Sequence, residues 1–421
     1  MIIPNGAWAI ESPPDSPPDK ILLRSSIVTV HHVLNEGLVR SPQLEPARAQ
    51  LPLARAAIEQ AKVFPNPGFM MDLQTQCTYK YGVTIPFEAP WLIMFRLMAA
   101  RKQVKQADLE LARVLWLFRG QVRQLYSELI MSSELANTQD QLVALTNKLH
   151  VYAQRRFEKG DVPRLDVHRT RLSVVQAELD SEVAHIQVER AREQLNILIG
   201  RIADQQMNLP PLSYESSGDD QSGLLPDLSR PMPSRKNLLQ EAYKSRFELK
   251  VSNQAELVAE QQLKVARAEK FPKGEVNVGI LIEDRINGPL ERKTPFIQAK
   301  VLFPVFDRQQ GKIASAKAQI SQWSKTIIGQ RNLIESEVAL AYRKVEIARA
   351  KIRKYQKEAL PVSNHITKSA DLGYKLGQTD ITAVIDMQQR NILLRTQYLQ
   401  SILEYQLAIN DLEQAVGRPL L

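Results

Sequence analysis

The chain has 421 residues, of which 44% are apolar and 24% are charged, so it can bury a substantial core and does not have the composition of a disordered protein. Its formal net charge is +9, but basic and acidic residues are interleaved along the chain, which argues against nucleic acid as a partner. The single cysteine, Cys77, excludes a disulfide framework and a CxxC zinc site. Few aromatic residues and many Glu, Lys, Arg, Gln, Ala and Leu favour long amphipathic helices.

The N-terminal segment, residues 1–26, is predicted to be disordered. It has no apolar h-region of the kind that a signal peptide requires. Ala7-Trp8-Ala9 has the small-x-small form of a cleavage site, so a start upstream of Met1 and coincidence are both open. No stretch approaches the roughly 18 uncharged apolar residues of a transmembrane helix, so any passage through a membrane would have to use strands.

The rest of the chain contains an internal duplication. Gly160 and Gly377 stand in similar segments, as do Gly200 and Gly417, and both pairs have one offset, since 377 − 160 = 217 and 417 − 200 = 217. Two independent landmarks with the same offset predict two copies of one unit. We predict a first repeat at 27–202, a Pro/Ser-rich connector without regular structure at 203–236 and a second repeat at 237–421.

Each repeat is predicted to contain a helix, a β-hairpin and a long helical hairpin. The β-hairpins are expected at 68–87 and 275–306, where apolar and polar residues alternate with a period of two. Each long helix covers about 70 residues, or roughly 100 Å at 1.5 Å per residue, which is more than a globular core requires. Its apolar residues step by threes and fours, as in a coiled coil, and Pro361 is expected to kink the second one.

The strands allow two interpretations. One apolar and one largely polar face suit a barrel in lipid, and they equally suit a soluble sheet with one wet face. Four strands cannot close a barrel around a channel, so the membrane interpretation requires oligomerisation, and three chains would supply twelve strands.

With its duplicated unit and two hairpin-tip motifs, the sequence resembles the outer-membrane efflux protein family, of which TolC is the best-known member, from about Val28 to Leu420. The resemblance implies a fold that is mainly α with a β-barrel contribution: duplicated long α-helical hairpins plus two β-hairpins, assembled as a homotrimer into an α/β-barrel channel. The barrel would lie in the outer membrane and the helices in the periplasm.

The resemblance also implies partners and an activity. The partners would be outer-membrane lipid, a periplasmic adaptor and an inner-membrane pump. The chain would be a passive conduit of an efflux or type I secretion system, with no catalytic residue and no cofactor. The alternative is a coiled-coil scaffold protein that does not enter a membrane.

The tip motifs carry the candidate functional residues. Gly160 with Asp166 and Val167 matches one family tip, and Gly377 with Tyr374 and Asp386 matches the other. On the resemblance, Asp386 is a gate carboxylate repeated around a three-fold axis; its other interpretation is an ordinary solvated helix residue.

Two departures from the family pattern put its closing network in doubt. Ala383 stands where the family often has a second aspartate, and Thr379 stands where an arginine that ties the closed state is found.

The sequence shows few signs of a metal site or of a catalytic motif. The six histidines are scattered and show no HExxH spacing, so they do not indicate a metal site. There is no Walker loop, GxSxG elbow or dinucleotide-binding glycine motif, and enzyme activity is the least favoured function.

Overall fold

The structure is a computed structural model. It describes residues 28–74, 78–212, 224–225, 228, 231–283, 292–376 and 378–420. The predicted disordered segment 1–26, Cys77 and Gly377 lie outside these residues, as does much of the predicted connector.

The first half runs from α1 to α4. Its helices are α1 (Val30–Arg40), a 3-10 turn (Pro42–Leu44), α2 (Glu45–Lys62), α3 (Pro90–Glu158) and α4 (Arg164–Ile199), and its strands are β1 (Gly68–Gln74) and β2 (Thr78–Phe87). The strands fall within the predicted hairpin at 68–87. Two helices, α1 and α2, precede them where one was expected, because Ser41 and Pro42 interrupt the helix.

The second half repeats this order. Its helices are α5 (Arg235–Ser245), α6 (Phe247–Ala268), α7 (Gln310–Lys354), α8 (Leu360–Lys375) and α9 (Ile381–Val416), and its strands are β3 (Lys273–Glu283) and β4 (Arg292–Leu302). The prediction of 275–306 for this hairpin is wrong at both ends, because β3 begins at Lys273 and β4 stops at Leu302, the residue that pairs with Lys273 at the end of the ladder. The division into repeats at 27–202 and 237–421 remains our proposal, which the common element order supports.

The long second helix is interrupted before Pro361 rather than at it. Residues Tyr355–Ala359 form a π turn between α7 and α8. Proline cannot donate to the carbonyl four residues earlier, and its ring crowds that carbonyl, so the preceding turn widens by one residue. The predicted irregularity is therefore present as a π turn.

The four strands form one antiparallel sheet in the order β1-β2-β3-β4. Phe69, Val83, Val278 and Ile297 form one row across the sheet, and all four side chains are exposed. The next row along the strands, on the opposite face, contains Gly68, Thr84, Asn277 and Gln298. The register therefore confirms a sheet with one apolar and one largely polar face.

The helices pack side by side below the sheet. Near the strands the order of neighbours is α2, α3, α6 and α7; farther away it is α4, α3, α9 and then α7 continued by α8. The main core lies where α1, α3, α4, α5, α7 and α9 meet. None of the helices in the described ranges combines the length and apolarity needed to cross a membrane.

The duplicated glycines end two equivalent helices. Gly200 and Gly417 have φ values of 82° and 80° and end α4 and α9. The Ser41 hydroxyl donates to the Leu198 carbonyl at 2.7 Å, and the Ser245 hydroxyl donates to the Val416 carbonyl at 2.6 Å. In each half a short helix is thus tied to the end of the returning helix.

The arginines after these glycines make matching ion pairs. Arg201 Nε lies 2.9 Å from Glu36 of α1, and Arg418 Nη1 lies 3.1 Å from Glu241 of α5. The Gly-Arg repeat in the sequence therefore corresponds to one local arrangement formed twice.

Candidate gate at the hairpin tips

The first helical hairpin turns at Gly160. This residue has φ of 80°, a left-handed conformation that favours glycine, and a Cβ there would meet nothing within 4 Å. The Gly160 and Asp161 amides donate to the carbonyls of Phe157 and Arg156 at 2.9 Å, which closes the end of α3. The chain therefore turns between α3 and α4 at Gly160, and the role of this turn as a functional tip remains a proposal.

The second hairpin turns between α8 and α9. Asp380 is the N-cap of α9, and its carboxylate accepts hydrogen bonds from the Ile381 amide at 2.8 Å and from the Thr382 hydroxyl. Gly377 lies outside the described residues. The turn between Leu376 and Asp380 is at the predicted end of the second hairpin.

Tyr374 fixes the two tips together. Its ring is only 2% exposed and packs with Leu149, Ile381 and Val384, so it lies in a small apolar cluster formed by both hairpins. Burial raises the pKa of the Tyr374 hydroxyl above its ordinary value, and the nearby Arg156 guanidinium opposes that rise. The hydroxyl is therefore neutral at physiological pH.

Two side chains of α3 hold Tyr374 from outside the cluster. The Arg156 guanidinium lies over the ring at 5.3 Å, and Tyr152 meets it edge-on with ring centroids 5.5 Å apart. A cation over an aromatic face and an edge-to-face aromatic pair each contribute about 1 kcal/mol. Both contacts join the first hairpin to the second.

Arg169 adds an electrostatic connection. Its guanidinium lies 3.7 Å from the buried Asp166 carboxylate, at the start of α4. The pKa of Asp380 is held below its ordinary value, chiefly by the hydrogen bond from the Thr382 hydroxyl. Hydrogen bonds from the backbone amides of Ile381 and Thr382 and the positive charge of Arg169 lower it further. Arg169 therefore interacts with carboxylates of both tips.

The predicted site residues fall into two groups. Asp166 and Tyr374 are buried and near one another, since the charge of Asp166 contributes to the raised pKa of Tyr374. Val167 is half-buried beside them. Asp386 lies farther along α9, partly exposed, with its carboxylate 2.9 Å from Arg390 Nε. Its assignment as a gate carboxylate remains a proposal, because one protomer does not bring three such groups together.

Sequence reasoning missed four contributors: Tyr152, Arg156, Arg169 and Asp380. Asp380 had a readable signal, because an aspartate directly before an apolar helical run is a typical N-cap. Arg156, Arg169 and Tyr152 had none, since only the packing of one hairpin on the other brings them to their partners. In the described part of the chain no three His, Cys, Asp or Glu side chains are grouped so as to hold a metal ion.

Comparison with known proteins finds relatives that are similar to this chain in sequence. Residues 33–201 match the sequence profile of the outer membrane efflux protein family. The cobalt-zinc-cadmium resistance protein CzcC of Cupriavidus metallidurans is 25% identical over 380 residues, which are 89% of this chain and 86% of CzcC.

Solved structures share the fold at lower identity. The CusC channel structure superimposes with a TM-score of 0.74 at 17% identity, covering 94% of this chain and 96% of CusC. The outer membrane protein VceC of Vibrio cholerae gives a TM-score of 0.71 at 16% identity, covering 93% of this chain and 97% of VceC. The likeness extends over both hairpins and the sheet.

Proposed function

Since this chain belongs to the outer membrane efflux protein family, we propose that it is one protomer of a homotrimeric channel, the passive exit conduit of a tripartite efflux system. It lies in the outer membrane, with its helical part in the periplasm. No reaction is catalysed; the tips described above act as the gate.

The sheet carries this proposal. Both of its edges, β1 and β4, lack a neighbouring strand within the described residues, and its exposed face is apolar. Four strands are too few to enclose a channel, whereas three copies joined β4 to β1 give a closed ring of twelve. Closure satisfies the edge amides and carbonyls, which lipid cannot do. The apolar row then faces lipid and the polar row faces the lumen.

The helices support the same closure. α4 packs mainly on α3 and stands at one edge of the helical layer. Leu165, Leu172, Leu179 and Ile186 of α4 are all exposed and are spaced by seven residues. Such a stripe is the seam of a coiled coil that lacks its partner.

The opposite edge carries a second stripe. Leu333, Leu340 and Ile347 of α7 are exposed and again spaced by seven residues, and Val362 and Ile366 of α8 line an apolar groove of about 420 Å³. Among the described residues, one protomer thus has two different unpartnered seams on its two edges. Head-to-tail contact between unlike seams closes a ring.

We propose the partners from the likeness to efflux channels, together with the location of the sheet and the tips. The apolar sheet face contacts outer-membrane lipid, while a periplasmic adaptor and an inner-membrane pump deliver substrate at the tips. The alternative, a scaffold that avoids membranes, would leave the apolar face of the sheet in water. Exposed apolar patches of this kind mark interaction sites.

Divalent metal cations are the substrate class that we propose first. The support is the likeness to CzcC, whose name describes resistance to cobalt, zinc and cadmium. A passive conduit needs no resident ligands, so the scattered histidines do not conflict with this class. Deletion of the gene should lower tolerance to these metals, measured as growth at rising concentration; unchanged tolerance would redirect the search to organic substrates.

The test compares two adjacent residues of β4. Ile297 lies on the apolar face and Gln298 on the polar face. Ile297→Lys should reduce the amount of trimer in the outer membrane, because a charge facing lipid costs about 2–4 kcal/mol near the midplane. Gln298→Lys should assemble normally and change only the ion selectivity in planar bilayers.

The readouts are outer-membrane fractionation, particle mass in detergent and bilayer conductance. A water-soluble monomer or dimer with no conductance would contradict the channel function and favour the scaffold. Equal behaviour of the two lysine variants would contradict the assignment of the faces.

A further inference from the structure

The first turns of α3, directly below the sheet, expose an apolar stripe. Trp91 is 42%, Met94 46% and Met98 42% exposed. Phe271, which lies between α6 and β3, is 53% exposed, and its ring meets the Trp91 ring edge-on with centroids 5.1 Å apart. We call these four residues the apolar stripe. A contiguous exposed apolar surface of this kind marks an interaction site.

The apolar stripe lies on the same side of the protomer as the apolar face of the sheet. On the other side, Glu88 pairs with Arg96 Nη1 at 2.8 Å and with Lys273 Nζ at 3.9 Å. Lys273 is four residues before Asn277, so it belongs to the polar face of β3. These ion pairs therefore extend the polar side down to Arg96. At about 100° per residue, the three α3 residues of the stripe are turned by roughly 140–160° away from Arg96.

Cations follow the apolar stripe on both helices. The exposed residues of α3 step by threes and fours along one face, and those of α6 do the same. Lys102 Nζ donates to the Leu257 carbonyl at 3.3 Å, and Gln254 Nε2 donates to the Lys102 carbonyl at 3.0 Å, so the two helices lie side by side. Five exposed cations on these two faces form what we call the basic collar: Arg101, Lys105, Lys264, Arg267 and Lys270.

The basic collar has no counter-charge in the protomer. Within the described ranges no ion pair involves any of its five members, whereas the cations of the polar side are paired, Arg96 with Glu88 and Lys312 with Glu269 at 2.7 Å. The same exposed faces carry only two carboxylates in this region, Asp108 and Glu260. Five cations against two anions leave this surface positive, so it attracts an anionic partner.

Continuity and charge together identify that partner as a lipid surface. The apolar stripe continues the apolar face of the sheet, and tryptophan is typical of the headgroup level of a membrane. Along α6 the basic collar extends about 9 Å from Lys270 to Lys264, and along α3 Arg101 lies about 15 Å from Trp91. Anionic lipid attracts Lys and Arg near its surface over about a Debye length, or roughly 8 Å, and their long side chains add to this reach.

We propose that the apolar stripe and the basic collar bind anionic phospholipid of the periplasmic leaflet, with acyl chains beside Met94 and Met98 and the phosphate at Arg267 and Lys270. This inference rests on the proposed function, because the sheet must first lie in the membrane. It places the membrane boundary on the first turns of α3 and the end of α6, below the strands, and assigns a headgroup charge to the bound lipid.

The experiment measures lipid selectivity of the intact trimer. The trimer is reconstituted in vesicles of equal parts phosphatidylglycerol and phosphatidylcholine, and spin-labelled versions of each lipid report the fraction held at the protein. Arg267→Gln/Lys270→Gln is the test variant. Lys148→Gln/Arg155→Gln is the matched control, because it removes the same charges from exposed positions of α3 about 85 Å farther from the sheet.

The wild type should hold phosphatidylglycerol about twofold or more over phosphatidylcholine, and this preference should fall as salt rises. The test variant should lose most of the preference, and the control should keep it. Equal association of the two lipids with the wild type, or equal losses in the test and control variants, would overturn the proposal. Where the test variant fails to form trimers, Arg101→Gln/Lys264→Gln removes two other cations of the collar and must lower the preference.

A second readout places the membrane boundary itself. Phosphatidylcholine brominated near the headgroup quenches tryptophan that lies at that depth, and the part of the quenching that disappears in Trp91→Phe reports Trp91. Strong quenching of Trp91 supports the collar, and its absence contradicts the position of the boundary even if the trimer prefers anionic lipid.

Bilayer conductance separates this inference from the channel function. A wild type that inserts and conducts but does not discriminate the two lipids overturns only the lipid site. A wild type that neither inserts nor conducts contradicts the proposed function itself.

Discussion

At the scale of single residues, three glycines show how local surroundings change the free-energy cost of adding a Cβ atom. Gly160 and Gly200 share a left-handed φ, but a Cβ at Gly160 meets nothing, whereas a Cβ at Gly200 would lie 2.5 Å from the Arg40 carbonyl oxygen. Gly329 is in the exposed interior of α7 with ordinary helical geometry and open space.

These surroundings predict a ranked series. Gly329→Ala should stabilise by up to about 1 kcal/mol through helix propensity. Gly160→Ala should cost about 1 kcal/mol for the strained φ, and Gly200→Ala should cost clearly more, because backbone must also move. Heat resistance of the trimer on gels checks the order; equal effects at residues 160 and 200 would contradict it.

Asp380 is the residue where pH should matter. Its folded pKa lies below the ordinary value of 3.8, so its charge stabilises the tip above the unfolded pKa, and this contribution is lost as pH falls through the folded pKa. Asp380→Ala should cost about 1 kcal/mol of tip stability at neutral pH.

Asp380→Ser provides the control for charge. Serine also caps helices, so it should retain most of the stability at neutral pH, but it removes this residue's share of the loss below about pH 4. Hydrogen exchange of the amides that follow residue 380, measured from pH 7 to pH 3, tests both variants. A wild type and a serine variant with identical pH dependence would show that Asp380 is not the titrating group.

At the scale of elements, α3 and α9 are joined by a buried carboxylate. Glu413 is fully buried, and its Oε2 accepts from Arg119 Nη1 at 3.0 Å and from Arg123. Its other oxygen accepts from the Leu420 amide at 3.1 Å, which holds the chain after α9. Asn196 stands 217 residues earlier, and its side-chain amide donates to the Ala203 and Gln205 carbonyls, so both halves use one buried polar residue at this point, although Asn196 donates where Glu413 accepts.

Replacement of the Glu413 carboxylate should lower the free energy of unfolding. Glu413→Gln leaves two partly buried arginines without a counter-charge and should destabilise by about 2 kcal/mol. Glu404→Gln is the control, because Glu404 pairs with Lys351 at 2.7 Å on the surface and should cost no more than about 1 kcal/mol. Thermal melting by circular dichroism compares them; similar losses would contradict the importance of burial.

At the scale of the whole molecule, the protomer is incomplete by itself. Within the part of the chain that the structure describes, both edges of its sheet and both edges of its helical layer carry unpartnered groups. The seams on α4 and α7 differ, so each fits the other better than it fits its own copy. A closed ring pairs the two unlike seams, whereas a two-fold dimer would pair each seam with itself.

The α4 seam should therefore be essential for assembly. Leu172→Glu/Leu179→Glu places two new charges in each protomer, about six in a trimer, and should yield monomers in detergent, measured by light scattering. Gln141→Glu/Gln154→Glu makes the same change at exposed positions of α3 and should leave trimers intact. Trimers in both variants would show that α4 does not form the interface.

The sequence by itself determined the periodic features of this protein. Strand alternation, the long helices and the tip at Gly160 follow from local patterns, because a period of two or of three and a half residues and a left-handed glycine act over a few residues. The offset of 217 residues likewise anticipated the matching Gly-Arg corners.

The tertiary structure decided everything that joins distant segments. Arg156 over Tyr374, Arg169 between two carboxylates and Glu413 between two arginines connect different helices, and no local pattern specifies such pairs. Long-range pairing is set by how the amphipathic faces pack, and packing exists only in three dimensions.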